Sequence, residues 1–187
     1  MSADERAQRI KLLAMDVDGV LTDGAIIYAA ASECEFEIKA FDVRDGLGIK
    51  LALRAGIHIA WLTGRKSDVV VRRARELGVA TVTQGVRDKG AALRQIADQQ
   101  GLALEEVAFI GDDLNDLPAM RFAGLAFAPA DAVETARRAA HYVTEASGGR
   151  GAVREVIGML LRAQGKLGQA EVALLADLAS GEDGTHD

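Results

Sequence analysis

The sequence feature that most constrains the fold is an apolar run that ends abruptly in two carboxylates. Leu12–Met15 has the pattern of a buried strand, and Asp16, Asp18 and Gly19 follow it directly. Two carboxylates at the end of a buried strand repel each other unless a cation lies with them. In an open parallel sheet, that end of the strand is also where ligands bind.

A Mg²⁺ ion at Asp16 and Asp18 would offset the repulsion of the carboxylates and also bind a ligand, because it takes oxygen ligands and keeps waters that leave room for a phosphate. The alternative interpretation is structural, since Asp18 and Gly19 also form a dipeptide typical of a turn that closes a strand. This stretch alone favours the metal site over the turn.

Composition predicts one layered domain. No linker-like stretch divides the 187 residues, so residues 1–187 should share one core. Hydrophobic residues make up 49% of the sequence but aromatic residues only 4%, and there are 20 glycines, which is typical of an aliphatic α/β core with tight turns. A net charge of -6 with scattered basic residues argues against a nucleic-acid partner.

Cysteine usage and the first residues predict a cytoplasmic protein. The single cysteine, Cys34, rules out an intrachain disulfide and is typical of a reducing compartment. Residues 1–9 are polar and lack the apolar core of a signal peptide, and no run has membrane-spanning length. We therefore expect no membrane partner.

Strand and helix patterns alternate along the chain. Two β-prone runs after the first strand predict a hairpin at about 25–41. Further strands are predicted at 57–62, 79–82, 107–110, 124–127 and 141–144, and helices at 46–55, 66–77, 88–99, 132–140 and from the glycine-rich segment 148–155 to about 164. This predicts a three-layer Rossmann-like α/β fold, a mostly parallel sheet with helices on both faces. A tail at about 167–187 should be flexible, although 167–178 could form a short helix.

Polar groups of complementary kinds stand at the ends of three predicted strands. In chain order they are Asp16 and Asp18, then Thr63, then Asp112, Asp113 and Asp116. Lys89 begins the helix that precedes the third of these strands. Such a set can hold a metal through its carboxylates and a phosphate through a hydroxyl, a lysine and helix N-termini.

These residues resemble a known family. The segments 16–20, 62–65 and 111–116, together with Lys89, resemble the four ordered motifs of the haloacid dehalogenase superfamily of phosphohydrolases. Segments 22–24, 39–41, 43–46, 63–66 and 148–155 extend the resemblance, over about 12–165, to a capless branch that acts on the sugar acid 3-deoxy-D-manno-octulosonate 8-phosphate. The resemblance implies a Mg²⁺-dependent phosphomonoesterase of lipopolysaccharide sugar biosynthesis.

The resemblance also implies catalytic roles. Asp16 would be the nucleophile that forms an aspartyl phosphate, and Asp18 the general acid and base. The Asp16 carboxylate, the Asp18 backbone carbonyl and Asp112 would bind the metal. Asp113 and Asp116 would hold metal-bound waters or orient Lys89, and we rank them as metal-site residues after Asp112, with Asp113 before Asp116.

Substrate contacts follow from the same resemblance. Thr63 and the Gly64 backbone would bind the phosphoryl oxygens while Lys89 offsets their charge, so that Thr63 and Lys89 also serve catalysis. Arg65 and Lys66 would bind the carboxylate of the sugar acid. The residues expected to contact substrate are Asp18, Thr63, Gly64, Arg65, Lys66, Lys89, Arg44 and Arg150.

No insertion is large enough to form a cap domain over this site, which would leave it open to water. In the resembled family, the hairpin of a neighbouring subunit covers the site within a tetramer, and the glycine-rich segment closes over it. The resemblance therefore implies a homotetramer.

Other interpretations stay open at this point. Taken singly, Thr63 could be a helix N-cap and Lys89 a solvated surface residue. The same fold could hydrolyse a related nine-carbon sugar acid 9-phosphate. A phosphoacceptor signalling module also uses strand-end carboxylates with Thr and Lys, although the order of motifs here disfavours it. A non-catalytic sugar-phosphate-binding protein descended from such an enzyme is the third alternative.

Overall fold

A six-stranded parallel sheet forms the centre of the computed structural model, which describes residues 1–31 and 34–180. Its strands are β1 (Leu12–Met15), β4 (His58–Thr63), β5 (Thr81–Gln84), β6 (Val107–Ile110), β7 (Leu125–Ala128) and β8 (Tyr142–Val143). Their order is β5-β4-β1-β6-β7-β8, and every neighbouring pair is parallel. The predicted mostly parallel sheet is confirmed.

Helices cover both faces of the sheet, as predicted. They are α1 (Ala3–Ala7), α2 (Val43–Arg54), α3 (Asp68–Leu77), α4 (Lys89–Gln99), α5 (Leu117–Phe122), α6 (Glu134–Ala139), α7 (Ala152–Ala163) and α8 (Leu167–Ser180), with 3₁₀ turns at Leu104–Glu106 and Leu114–Asp116. One apolar cluster packs α1, α2, α3, α7 and α8 against one face, and a second packs α4, α5 and α6 against the other. Alternate side chains of a strand point to opposite faces, so Leu13 joins the first cluster and Leu12 the second.

The predicted hairpin is present as an antiparallel pair outside the main sheet, β2 (Ile27–Ala31) with β3 (Cys34–Ile38). β2 runs on through the small residues that follow Tyr28, because their backbone pairs with β3. Residues 32–33, between the two strands, lie outside the described residues.

Helix boundaries differ from the sequence prediction where a cap decides them. α2 begins at Val43 rather than near Gly46, because the Asp42 side chain accepts a hydrogen bond from the Arg44 N–H. α1 was not predicted, although Ser2 and Glu5 form a reciprocal capping box at its start. α8 extends the short helix expected in the tail, and residues 181–187 lie outside the described residues.

The sheet register determines where the polar strand ends meet. Met15 of β1 is level with Trp61 of β4 and with Ile110 of β6, so the residues that follow all three strands emerge at one edge. Among the described residues, none of the helices has both the length and the apolar character needed to cross a bilayer.

Candidate active site

Asp16 is buried at the carboxyl end of β1, the central position of the sheet. Its backbone N–H donates to the Ile110 carbonyl on β6, and its Oδ1 accepts from the Val17 N–H at 2.7 Å. The chain then turns through Gly19, whose φ of 92° lies in the left-handed region. A Cβ atom on Gly19 would lie 2.1 Å from Asp112 Oδ2, so glycine lets the two loops approach closely.

Three carboxylates converge beside this turn. Asp16, Asp112 and Asp116 each offer an oxygen within 4.8 Å of the other two. Burial, followed by the charge of Asp116, raises the pKa of Asp16 to about 7, and Lys89 opposes that rise. Burial and the charges of Asp16 and Asp116 likewise raise the pKa of Asp112 to about 7. The cluster therefore carries more negative charge than its one lysine neutralises.

Lys89 lies between two of these carboxylates at the start of α4. Its Nζ is 2.8 Å from Asp16 Oδ2 and 2.6 Å from Asp116 Oδ1, and its side chain is only 1% exposed. Burial lowers the pKa of Lys89, but the two carboxylates outweigh burial and raise that pKa above its usual value. The interpretation of Lys89 as a solvated residue is therefore wrong.

The structure reverses the expected order of Asp113 and Asp116. Asp116 is fully buried, and its Oδ2 accepts from the backbone N–H groups of Asp112 and Asp113 while its Oδ1 binds Lys89. Asp113 is exposed, and its side chain caps the Leu114 N–H at the 3₁₀ turn. Because that turn points Asp113 outward, Asp116 is the residue that orients Lys89.

Thr63 and Asp18 meet at the ends of β4 and β1. The Thr63 hydroxyl donates to Asp18 Oδ2 at 3.4 Å and accepts from the Arg65 N–H at 3.2 Å. Ser67, rather than Thr63, is the N-cap of α3, so the alternative interpretation of Thr63 is wrong. Gly64 is exposed beside them, where its backbone can face a ligand.

Two charged residues to which the sequence analysis gave no role reach this site from the hairpin. Lys39 follows β3, and its Nζ contacts Asp18 Oδ1. Glu37, on β3, is 3.4 Å from Lys39 and also accepts from Arg65 Nη2 at 3.3 Å. The alternation of Phe36, Glu37, Ile38 and Lys39 was the signal, because residues two apart in a strand share a face.

The glycine-rich segment lies directly on the loop after β1. The Gly149 N–H donates to the Val20 carbonyl at 2.8 Å, and a Cβ atom on Gly148 would lie 1.8 Å from the Gly19 oxygen. Asp45, next to Arg44 on α2, is buried. It accepts from the backbone N–H groups of Gly151 and Arg154 and so ties α2 to the start of α7.

The structure brings only part of the expected sugar-binding set together. Arg44 Nη2 donates to Asp42 and to the Arg150 carbonyl, beside an open pocket of about 350 Å³. Arg65 faces the hairpin, where its Nη2 donates to the Tyr28 hydroxyl at 3.3 Å. Lys66 is exposed beside Gly85 at the end of β5, away from that pocket.

The carboxylate cluster fits a hard divalent cation. Asp112 Oδ1 is buried and has no hydrogen-bond partner among the described residues. Among the described residues, Asp116 has three contacts, with Lys89 and with two backbone N–H groups, whereas each Asp16 oxygen has a single partner and Asp112 Oδ1 has none, so Asp16 and Asp112 have coordination capacity left for an ion. An ion there would offset the repulsion that raises the two pKa values.

Metal-free protein should lose stability as the pH rises from about 4 to 7. In the folded chain Asp16 and Asp112 keep their protons up to a pH of about 7, whereas the unfolded chain releases them near pH 3.9. The folded state binds more protons in this window, so each rise in pH favours unfolding. Mg²⁺ should then raise the Tm more at pH 8 than at pH 5.

Thermal unfolding of chelator-treated protein, with and without Mg²⁺ at both pH values, checks this expectation. A concentration of about 100 times Kd stabilises by roughly 2.7 kcal/mol. Asp112→Asn should remove most of the Mg²⁺ effect, while Asp113→Asn should keep it. An equal rise in Tm at pH 5 and pH 8 would contradict the assignment of the cluster.

Comparison with known proteins gives consistent matches. The family model described as haloacid dehalogenase-like hydrolase matches residues 59–157, a range that includes Thr63, Lys89 and Asp112. KdsC of Escherichia coli K12, named as 3-deoxy-D-manno-octulosonate 8-phosphate phosphatase, is 47% identical over 173 residues, 91% of this chain and 90% of the relative. KdsC of Yersinia pestis is 45% identical over 163 residues, 87% of this chain and 86% of the relative.

Solved structures match over most of the chain. The 3-deoxy-D-manno-octulosonate 8-phosphate phosphatase of Moraxella catarrhalis, solved with magnesium, phosphate and KDO, has a TM-score of 0.87 and 45% identity. The match covers 92% of this chain and 97% of the neighbour. The cobalt-bound form of the deoxy-D-mannose-octulosonate 8-phosphate phosphatase (YrbI) of Haemophilus influenzae has a TM-score of 0.83 and 42% identity, and the match covers 89% of this chain and 99% of the neighbour.

Proposed function

The chain belongs to the haloacid dehalogenase-like hydrolases, and from that premise we propose that it hydrolyses 3-deoxy-D-manno-octulosonate 8-phosphate to the free sugar acid and phosphate. The chain is a Mg²⁺-dependent phosphomonoesterase, and this substrate places it in lipopolysaccharide sugar biosynthesis. The names of its relatives and the bound groups of the Moraxella structure support the substrate.

One observation of the site carries this proposal. The strand-end carboxylate Asp16 lies at once beside Lys89, at 2.8 Å, and within a cluster of carboxylates that fits a cation. A turn that only closes a strand gives no reason to bury a lysine between two acids, since moving charged groups out of water costs free energy. A nucleophile next to two sources of positive charge is what phosphoryl transfer to a carboxylate needs.

The proposed reaction has two steps. An Asp16 carboxylate oxygen attacks phosphorus, the ester P–O bond breaks, and Asp18 gives a proton to the departing alkoxide. Asp18 then takes a proton from a water that attacks the aspartyl phosphate, which releases phosphate and restores Asp16.

The surrounding residues stabilise this transfer. Thr63 and the Gly64 backbone bind the phosphoryl oxygens, and Lys89, held by Asp116, offsets charge on Asp16 and the phosphate. Asp16, Asp112 and the Asp18 backbone carbonyl would hold Mg²⁺, which when bound supplies positive charge against the phosphoryl oxygens.

Phosphate release from a panel of sugar phosphates tests the proposal. With Mg²⁺, the chain should prefer 3-deoxy-D-manno-octulosonate 8-phosphate, and chelation should abolish release. Preference for a nine-carbon sugar acid 9-phosphate would assign the rival substrate. Similar low rates of phosphate release from every ester would contradict the substrate assignment. Binding of the sugar phosphate without release of phosphate would favour a non-catalytic role.

Arg65→Ala should weaken turnover of the sugar acid phosphate much more than turnover of a small aryl phosphate. Arg65 lies two residues past Thr63 and faces the hairpin, where its guanidinium can reach a carboxylate beyond the phosphate. Loss of one charge-assisted hydrogen bond of about 1.5 to 3 kcal/mol predicts a roughly 10- to 150-fold fall in kcat/KM.

Steady-state kinetics with both substrates, and Arg72→Ala as control, measure this effect. Arg72 lies on α3 with an 82% exposed side chain, so its removal should change neither value. Equal losses on both substrates in Arg65→Ala would place Arg65 at the phosphate instead.

A homotetramer is part of the proposal. The hairpin and its flanks expose large apolar side chains, Ile26, Ile27, Tyr28 and Ile38, at 44% to 69% of their surface. Such a patch is typical of an interface, and the resemblance assigns it to a neighbouring subunit. Light scattering should give four times the chain mass, and Ile27→Asp should lower it. A monomer at micromolar concentration would contradict this assembly.

We also propose a cytoplasmic location, which rests on cysteine usage. The sequence has one cysteine, Cys34, and so no intrachain disulfide to form in an oxidising compartment. Fractionation of cells that express the tagged chain tests this, and recovery from an oxidising compartment would contradict it.

A further inference from the structure

Lys39 is a buried cation that none of the proposed catalytic steps uses. Its side chain is 1% exposed, although lysine is among the residues least often buried. Its Nζ contacts Asp18 Oδ1 and lies 3.4 Å from Glu37 Oε1. Holding the lysine side chain in one conformation costs conformational entropy, and a solvated lysine does not bear that cost.

The contacts of Lys39 determine how the Asp18 carboxylate is oriented. Each oxygen of that carboxylate has its own partner, Lys39 for Oδ1 and the Thr63 hydroxyl for Oδ2. The Thr63 contact, at 3.4 Å, is long for an O–H···O hydrogen bond. The contact with the buried ammonium is the stronger of the two, because both of its partners are charged, whereas the Thr63 hydroxyl is neutral and its bond is long.

Glu37 in turn holds Lys39 in place. Its Oε1 lies near both Lys39 Nζ and Arg65 Nη2, and its side chain is 17% exposed. Glu37 and Lys39 are two residues apart at the end of β3, so they leave the hairpin on the same side. The hairpin thus places the Lys39 ammonium group, held by Glu37, beside the loop that follows β1.

We propose that Lys39 is a positioning residue that holds the Asp18 carboxylate in the orientation needed for proton transfer to the leaving group. This inference rests on the proposed function, in which Asp18 gives that proton. Lys39 acts through Asp18 and not on the phosphate. Misplacement of a catalytic group by about 1 Å can cost roughly 100-fold in rate.

A positioning role for Lys39 predicts a kinetic difference between two substrates, which a simple loss of stability would not produce. An alkoxide leaving group needs a proton in the transition state, whereas p-nitrophenolate leaves readily without one. A variant with a misplaced Asp18 should therefore fail on the sugar phosphate and keep most activity on p-nitrophenyl phosphate. The parameter to compare is kcat/KM, because it includes leaving-group departure even where the later hydrolysis step limits kcat.

The test compares Lys39→Met with the wild-type protein on both substrates at saturating Mg²⁺. We expect kcat/KM to fall roughly 100-fold for the sugar phosphate and less than about fivefold for p-nitrophenyl phosphate. Lys11→Met is the matched control, because Lys11 forms an ion pair with Glu106 at 2.6 Å at the opposite end of β1 and is 60% exposed. It should change neither value.

A double-mutant comparison separates action through Asp18 from direct contact with the phosphate. In an Asp18→Asn background, Lys39→Met should add less than about threefold to the loss on the sugar phosphate. If Lys39→Met does not give the circular dichroism spectrum of the wild type, Lys39→Gln replaces it, since the amide keeps a polar group in the buried space.

The outcomes are distinct. Equal losses on the two substrates, no loss on either, or a full additive loss in the Asp18→Asn background would overturn the role of Lys39. In each of those cases the wild type remains active and dependent on Asp16, so the proposed function stands. Inactive wild-type protein on both substrates would overturn the proposed function and this inference with it.

Discussion

Asp16→Asn should lower phosphate release from the sugar phosphate by roughly 10⁴-fold or more. The amide is a far weaker nucleophile than the carboxylate, so the covalent step is lost while the side-chain volume stays the same. Lys89 keeps its second partner, because Asp116 Oδ1 lies 2.6 Å from its Nζ. The loss should therefore appear in turnover and not in folding.

The matched control is Asp113→Asn, the same chemical change on an exposed residue three positions from Asp116. Its carboxylate caps the Leu114 N–H, and an amide oxygen can accept the same bond. Phosphate release by Asp113→Asn should stay within about threefold of the wild type. Substantial turnover by Asp16→Asn, with its mass verified, would remove Asp16 from the nucleophile role.

Lys89→Met should have the second largest effect, and it should destabilise as well as inactivate. Removing one partner of a buried ion pair typically costs about 3 to 5 kcal/mol, because the remaining charge stays buried without compensation. Here two carboxylates, Asp16 and Asp116, would remain. Denaturant unfolding at pH 8 without metal measures the free energy of unfolding, with Lys11→Met as the exposed control.

The loss should depend on pH and on Asp116. Lys89 lowers the pKa of Asp16, so its removal lets Asp16 keep a proton to higher pH. Destabilisation should therefore be smaller at pH 5 than at pH 8. Asp116→Asn in the Lys89→Met background should recover part of the lost stability. A loss below about 1 kcal/mol at pH 8 would mean that Lys89 is not held as the structure places it.

The main elements of the site could be predicted because they follow from strand ends. Once Leu12–Met15 and Val107–Ile110 are assigned as neighbouring parallel strands, the register brings Asp16 and Asp112 to the same edge. Lys89 was placed at a helix start by Asp88, which is the N-cap of α4. These inferences depend on local patterns and on one topological rule.

Other features of the site depend on side-chain direction, which local patterns do not encode. Asp113 and Asp116 are equivalent in the sequence, and only the 3₁₀ turn at Leu114–Asp116 points Asp116 inward and Asp113 to solvent. The Lys39 contact with Asp18 joins residues 21 positions apart and depends on how the hairpin folds over β1. The hydrogen bonds from the Gly151 and Arg154 backbone to Asp45 likewise could not be predicted, because they depend on the packing of α7 beside α2.

The most direct test of this account is to trap the phosphoryl group on the protein. Wild-type protein is mixed with substrate that carries a radiolabelled phosphoryl group, quenched in acid within a turnover, treated with borohydride and digested for mass spectrometry. Borohydride reduces an acyl phosphate to the alcohol and releases the phosphate, so we expect label on the acid-quenched wild-type protein before reduction, no label on Asp16→Asn, and homoserine at position 16 after reduction. Turnover without a labelled protein, or modification at Asp112 instead, would contradict it.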